Sequence, residues 1–212
     1  YLVEDGKGMG IRDLCKTQVF FVAIVLMVCA GASELSMAQW ASAYAEAAIG
    51  LSKTAGDLLG PCMFAVTMGL SRLIFGKYGD KLNLRHFMLG SGALCLLCYI
   101  LASSSPNPLI GLVGCIVCGF SVGIMWPGTI SISSKTLPSG GTAMFALLAM
   151  AGDLGGAFGP WLVGTISQSS GDNMQKGMLA GCIFPILLVL SLILIKRLQK
   201  KELPLTRNQR RS

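Results

Sequence analysis

From Gly177 to Ile195 the chain carries no charge, and Ser191 is the only hydroxyl in the run. Roughly 20 apolar residues cross the hydrocarbon layer as a helix. Inside that layer each backbone N–H and C=O must be satisfied within the segment, so a run of this length and character reads as a transmembrane helix. Five further stretches have the same apolar length bounded by charge or turn residues: Gln18–Tyr44, Thr54–Phe75, His86–Ser103, Leu109–Ser133 and Thr142–Ser167. The connections between them are short and carry turn chemistry, such as the two prolines within Ser103–Pro108 and the Pro-Ser-Gly-Gly of Leu137–Gly141. The chain is 53% hydrophobic and 13% charged, where a soluble domain carries about 25% charge. An all-α polytopic membrane protein with six transmembrane helices is the expected fold, with a linker at 1–17, a helical bundle at 18–195 and a basic tail at 196–212.

The cations set an orientation. Fifteen of the 17 Lys and Arg residues, Arg72 among them, fall on one side of that arrangement, leaving Lys53 and Lys176 on the other. Lys and Arg gather on cytoplasmic loops, so both termini are expected in the cytoplasm, which six spans require. The net charge of +7 is then mostly a topology signal. Nucleic-acid binding is not expected, because the tail 196–212 lacks interleaved aromatics and follows directly on a span. Residues 1–17 are polar and mixed in charge, without the pattern of a secretory signal.

The second connection reads Gly76-Lys-Tyr-Gly-Asp80-Lys81-Leu-Asn-Leu-Arg85-His. This glycine, followed by an acid and a base and then further cations, resembles the cytoplasmic loop signature of the major facilitator superfamily. It departs from that pattern at Asn83, where a second glycine is usual. The stretches "GFSVGIMWPGTI" and "LPSGGTAMFALLAMAGDLGGAFGPWLVG" extend the resemblance over essentially the whole chain, nearest the fucose-permease type of sugar transporter. The resemblance implies a six-helix bundle of two inverted three-helix repeats, matching the C-terminal half of a twelve-helix carrier. The expected partner is an N-terminal six-helix half of the same chain, or a second copy if the half stands alone. A bacterial plasma membrane is the expected location. The first and fourth helices of such a half line the cavity.

The residues agree with that layout. At 100° per residue, Ser33, Ser36, Trp40 and Tyr44 share one face of the first span, with Glu34 and Gln39 on its flanks. Aromatics stack on sugar faces while amides and carboxylates bond hydroxyls, so Glu34, Ser36, Gln39, Trp40, Tyr44 and, on the fourth span, Trp126 are candidate solute contacts. Trp40 and Tyr44 could instead belong to an interfacial aromatic belt. Glu34 and Asp153 are the acids deepest in predicted spans. Carboxylates at that depth usually face a bundle interior or an aqueous path, which makes both candidates for proton coupling. Gly119-x-x-x-Gly123 permits close helix approach, and Pro127 would bend the cytoplasmic end of its helix. In the fifth span Gly152 with Gly156, and Gly155 with Gly159, form two overlapping small-residue faces next to Pro160. By resemblance this helix packs at the seam between halves. Gly76, Asp80, Lys81 and Arg85 join these as candidate gating residues.

Other chemistries are not expected. Cys95-x-x-Cys98 and Cys115-x-x-Cys118 match a zinc-ribbon spacing, but each pair lies in an apolar helix, where thiolates would be very costly. His86 stands alone, "GKGMG" lacks the Lys-Ser/Thr of a phosphate loop, and no ATP-binding motif appears. No metal, cofactor or catalytic residue is therefore assigned. The reading is a secondary active carrier of a small polar solute, with a drug or metabolite exporter, or a non-transporting receptor or scaffold, as its rivals.

Overall fold

The computed structural model describes residues 9–50, 52–79 and 83–209, with Ala48, Ile49 and 199–209 as backbone alone. Its described residues form helices α1 (Ile11–Leu14), α2 (Gln18–Ile49), α3 (Lys53–Tyr78), α4 (Leu84–Ser104), α5 (Pro108–Val122), α6 (Met125–Thr136), α7 (Gly141–Ser169), α8 (Met174–Gly181) and α9 (Ile183–Gln209). Six spans are long and apolar enough to cross a membrane, with α5 and α6 making one and α8 and α9 another. The protein is an all-helical, integral multi-pass membrane protein.

Helix starts follow from local chemistry. Asn83 Oδ1 accepts from His86 N, Asn107 Oδ1 from Leu109 N at 2.9 Å, and Asn173 Oδ1 from Lys176 N at 3.1 Å, each satisfying a donor the helix start leaves free. Asn83 is thus an N-cap, which explains an asparagine where a glycine would begin no helix as well. Gly50 ends α2 in the left-handed region, φ 66°, where a side chain would be strained. Both broken spans break just ahead of a proline. Pro127 cannot bond the Gly123 carbonyl, and α5 gives way to α6 at Gly123–Ile124; Pro185 cannot bond Gly181, and α8 gives way to α9 at Cys182.

α2 is the axis of the bundle, packing on α3, α5, α6, α7 and α9. Tyrosines tie it in place. Tyr44 Oη donates to Ala102 O on α4 at 2.7 Å, and Tyr99 Oη on α4 donates to Ser33 O at 2.9 Å. A second apolar cluster of Leu14, Phe20, Met27, Met144 and Leu148 joins α1, α2 and α7. The bend in the fourth span differs from expectation: it lies at mid-span, not at the end of the helix.

Candidate functional site

The polar face predicted on α2 exists, but half of it looks inward. Ser33 and Ser36 are fully buried and Tyr44 is 3% exposed. Gly111 of α5 lies so close to the Tyr44 ring that a β-carbon there would collide with it. Tyr44 is thus held in the core by its bond to Ala102 O, and Ser36 is buried with its Oγ unpartnered. The physical reason is that lipid and protein interior are equally apolar, so a helix wheel finds the polar face without saying which way it turns. Gln39 is exposed, and Trp40 is half-buried against the main core.

Glu34 sits on the edge of that face at mid-span. It is half-buried, and its Oε2 is buried without a hydrogen-bond partner. The cation whose charge acts on it is Arg72 of α3. The sequence groups Arg72 with the loop cations, but its side chain runs back along α3, as helical side chains lean toward the N-terminus. Its Nε donates to Gly123 O at 3.2 Å, the carbonyl that Pro127 leaves free. Sequence reasoning missed this residue; the signal was a cation six residues inside the end of an apolar helix.

Trp126 follows one residue into α6. Its indole edge packs on Gly152 of α7, where a β-carbon would lie 2.6 Å from Cη2, and its Nε1 is buried without a partner. Gly152 O abuts Gly31, one turn before Glu34. Glu34, Arg72, Trp126 and the Gly123–Ile124 break thus converge at mid-depth between α2, α3, α5, α6 and α7.

The glycines pack as sequence spacing allowed, but inside the bundle. A β-carbon on Gly155 would strike Val28 O, and one on Gly159 would lie 2.6 Å from Ser36 Oγ and 2.8 Å from Ala32 Cα, all on α2. The face expected to meet a partner half is thus taken by the chain's own first span. Gly156 likewise faces Leu35. Asp153 lies on the opposite, exposed side of α7 with Leu154, Phe158 and Trp161, and Pro160 is half-buried within the continuous helix. Gly119 and Gly123 press α5 onto Phe64, Thr67, Met68 and Ser71 of α3, while Pro127 is exposed. Gly76 and Arg85 line a cavity of about 610 Å³ between α3, α4 and α6, together with Lys135. Asp80 and Lys81 lie outside the described residues.

Cys95, Cys98, Cys115 and Cys118 are buried in the main core, with Cys95 Sγ and Cys118 Sγ 3.7 Å apart. Among the described residues no group of three or more His, Cys, Asp and Glu could hold a metal ion.

No curated protein matches the chain. The Major Facilitator Superfamily model matches residues 3–160, which takes in the first four spans and the fifth as far as Pro160. That match covers well over half of the chain, its six apolar helices agree with it, and the chain belongs to the major facilitator superfamily, a family of membrane transporters.

Proposed function

We propose that this bundle is one half of a secondary active transporter that moves a small polar solute, a sugar or a related metabolite, by alternating access with proton coupling. The observation that carries the reading is Glu34: a carboxylate at mid-span, one oxygen buried and without a partner, among groups from five helices. Intramembrane carboxylates of this kind mark solute or proton paths. Gln39 and Trp40 on α2 and Trp126 on α6 add an amide, an aromatic face and an indole donor to the reading. Both termini face the cytoplasm in this reading, following the distribution of cations. The partner half, or a second copy, covers α3 and α7, the two spans least buried within the bundle, at 17% and 33% of their apolar windows. Asp153 and Trp161 then stand at that seam. An exporter of drugs or metabolites and a non-transporting receptor or scaffold are the rival readings.

Glu34→Gln in proteoliposomes tests the proposal. Uptake driven by a pH gradient is expected to fall to background while solute exchange at equal pH persists. If gradient-driven uptake survives at the unmodified rate, Glu34 does not carry the proton.

A further inference from the structure

We infer that the solute carries a carboxylate, and that Arg72 is the residue that binds it. The inference rests on the carrier reading above and narrows its substrate class from polar solutes in general to hydroxylated monocarboxylates.

Position comes first. Gly123, whose carbonyl holds Arg72 Nε at 3.2 Å, is midway along the Pro108–Thr136 span, so the guanidinium stands near mid-depth. Its other contact is weak, Nη2 to Met68 Sδ at 3.6 Å. Among the described residues the one ion pair is Lys16 with Asp13, and Arg72 has no carboxylate bridge. A cation at this depth is costly unless it meets a counter-ion or an aqueous path. Arg72 is exposed, on the span that the bundle's own helices cover least, so it is not enclosed by the described residues. Nε is fixed by the protein, and the outer edge of the fork is left for a ligand. A planar fork of this kind matches a carboxylate with two parallel hydrogen bonds.

Two neighbours point the same way. α6 starts at Met125, beside the carbonyl that anchors Arg72, and no side chain caps its first turn. The start of a half-helix within a membrane presents a positive dipole end and free donors to an anion. Trp126, in that first turn, adds an indole N–H that is buried without an acceptor. Arg72 and Trp126 are both donors; among the described residues Arg72 meets only Gly123 O and Met68 Sδ, and Trp126 Nε1 meets no acceptor. Glu34 then limits the charge. A phosphate dianion would face its carboxylate at a cost that a single carboxylate halves, since the repulsion scales with ligand charge. The unpartnered Glu34 oxygen instead accepts from a hydroxyl. One carboxylate with hydroxyls beyond it satisfies the set; a neutral sugar leaves the fork unmatched.

The test is counterflow by the full chain in proteoliposomes, with matched acid and polyol pairs: gluconate against sorbitol, galactonate against galactitol, glycerate against glycerol. Glucose 6-phosphate is the dianion probe. At least one acid is expected to exchange and its polyol not to. Arg72→Gln keeps a donor for Gly123 O but loses the charge, and should lower acid exchange about 10- to 100-fold, the range of a lost charge-assisted hydrogen bond. Arg72→Lys keeps the charge without the fork and should fall between the two. Elution of each variant as the unmodified protein does in size exclusion keeps a folding failure apart from a binding one. If Arg72→Gln does not fold, the ordering of Arg72→Lys below the unmodified protein for acids decides. Polyols exchanging as well as acids, acid exchange indifferent to both substitutions, or preference for glucose 6-phosphate each overturn the assignment and leave the carrier reading standing. Silence of every probe overturns both.

Discussion

The fourth and fifth spans use the same two residues to different ends. Each has a glycine four positions ahead of a proline, Gly123 before Pro127 and Gly156 before Pro160, so each loses one backbone hydrogen bond. The fourth breaks into α5 and α6, while α7 continues from Gly141 to Ser169. What differs is the neighbour. The Gly123 carbonyl is taken by Arg72 from α3, whereas among the described residues no side chain donates to the Gly156 carbonyl. α7 is also clamped on both sides of Pro160, by α2 against Gly155 and Gly159 before it, and by α8 at Val163 after it. A proline frees a carbonyl in both, and in the fourth span a cation receives it. The sixth span opens at Cys182 ahead of Pro185 without one among the described residues, so a cation is one way to stabilise an opened helix and not the condition for it. Of the fourth and fifth spans, the one that opens is the one with the candidate site.

The clamp should give the largest effect. A β-carbon on Gly155 would strike the Val28 carbonyl and come within 2.8 Å of Val28 Cα, and backbone cannot step aside as a side chain tip can. Gly155→Ala is expected to cost about 3 kcal/mol, the upper part of the usual overpacking range. For a chain of this size that lowers the melting temperature in detergent by about 6 to 12 °C. Gly164, on the same helix, has nothing within 4 Å of the built position. Gly164→Ala should therefore leave the melting temperature unchanged or raise it slightly. Equal effects at the two positions would remove the clamp from the account.

Next in size is the coupling between Arg72 and Pro127. Arg72→Ala leaves a buried carbonyl uncapped and should cost about 1 to 2 kcal/mol. In a Pro127→Ala background the new N–H can take the Gly123 carbonyl, and the same substitution should cost about 1 kcal/mol less. Thermal melts of the two single variants and the double variant give this interaction energy directly. Additive costs would mean that the proline did not create the need for the arginine.

These two contrasts also show what the chain disclosed before folding. Spans, turns and the close approach of Gly119 and Gly123 were legible because length, apolarity and small-residue spacing are local properties. The rotation of α2 was not. Ser33, Ser36 and Tyr44 do share a face, yet all three are buried in an interior that a hydropathy pattern cannot separate from lipid. Nor did spacing tell which neighbour the α7 glycines would meet, since a small-residue stripe fits any helix that comes close. Arg72 was hidden by its address: a cation near a helix end counts toward topology, and only its reach back to a carbonyl freed 51 residues away moves it to mid-depth. Glu34 was legible because an acid deep in a span needs a reason wherever the helix turns.

The smallest expected effect is the sharpest test of the comparison. Pro160→Ala returns a donor to Gly156 in a helix that is already continuous, so the backbone has no new geometry to adopt. The gain of one hydrogen bond is offset by lost rigidity in the unfolded chain, and the net change should stay within about 1 kcal/mol. Hydrogen exchange should show protection confined to the one new amide at position 160, with the α2 contacts around Val28 and Ala32 unaltered. Pro127→Ala, by contrast, should extend protection across Gly123–Ile124, because there the restored bond competes with Arg72 and the two half-helices can join. Should Pro160→Ala instead spread protection along α7 as widely as Pro127→Ala does along the fourth span, both prolines would be hinges of one kind. The presence of Arg72 would then not be what sets the opened span apart.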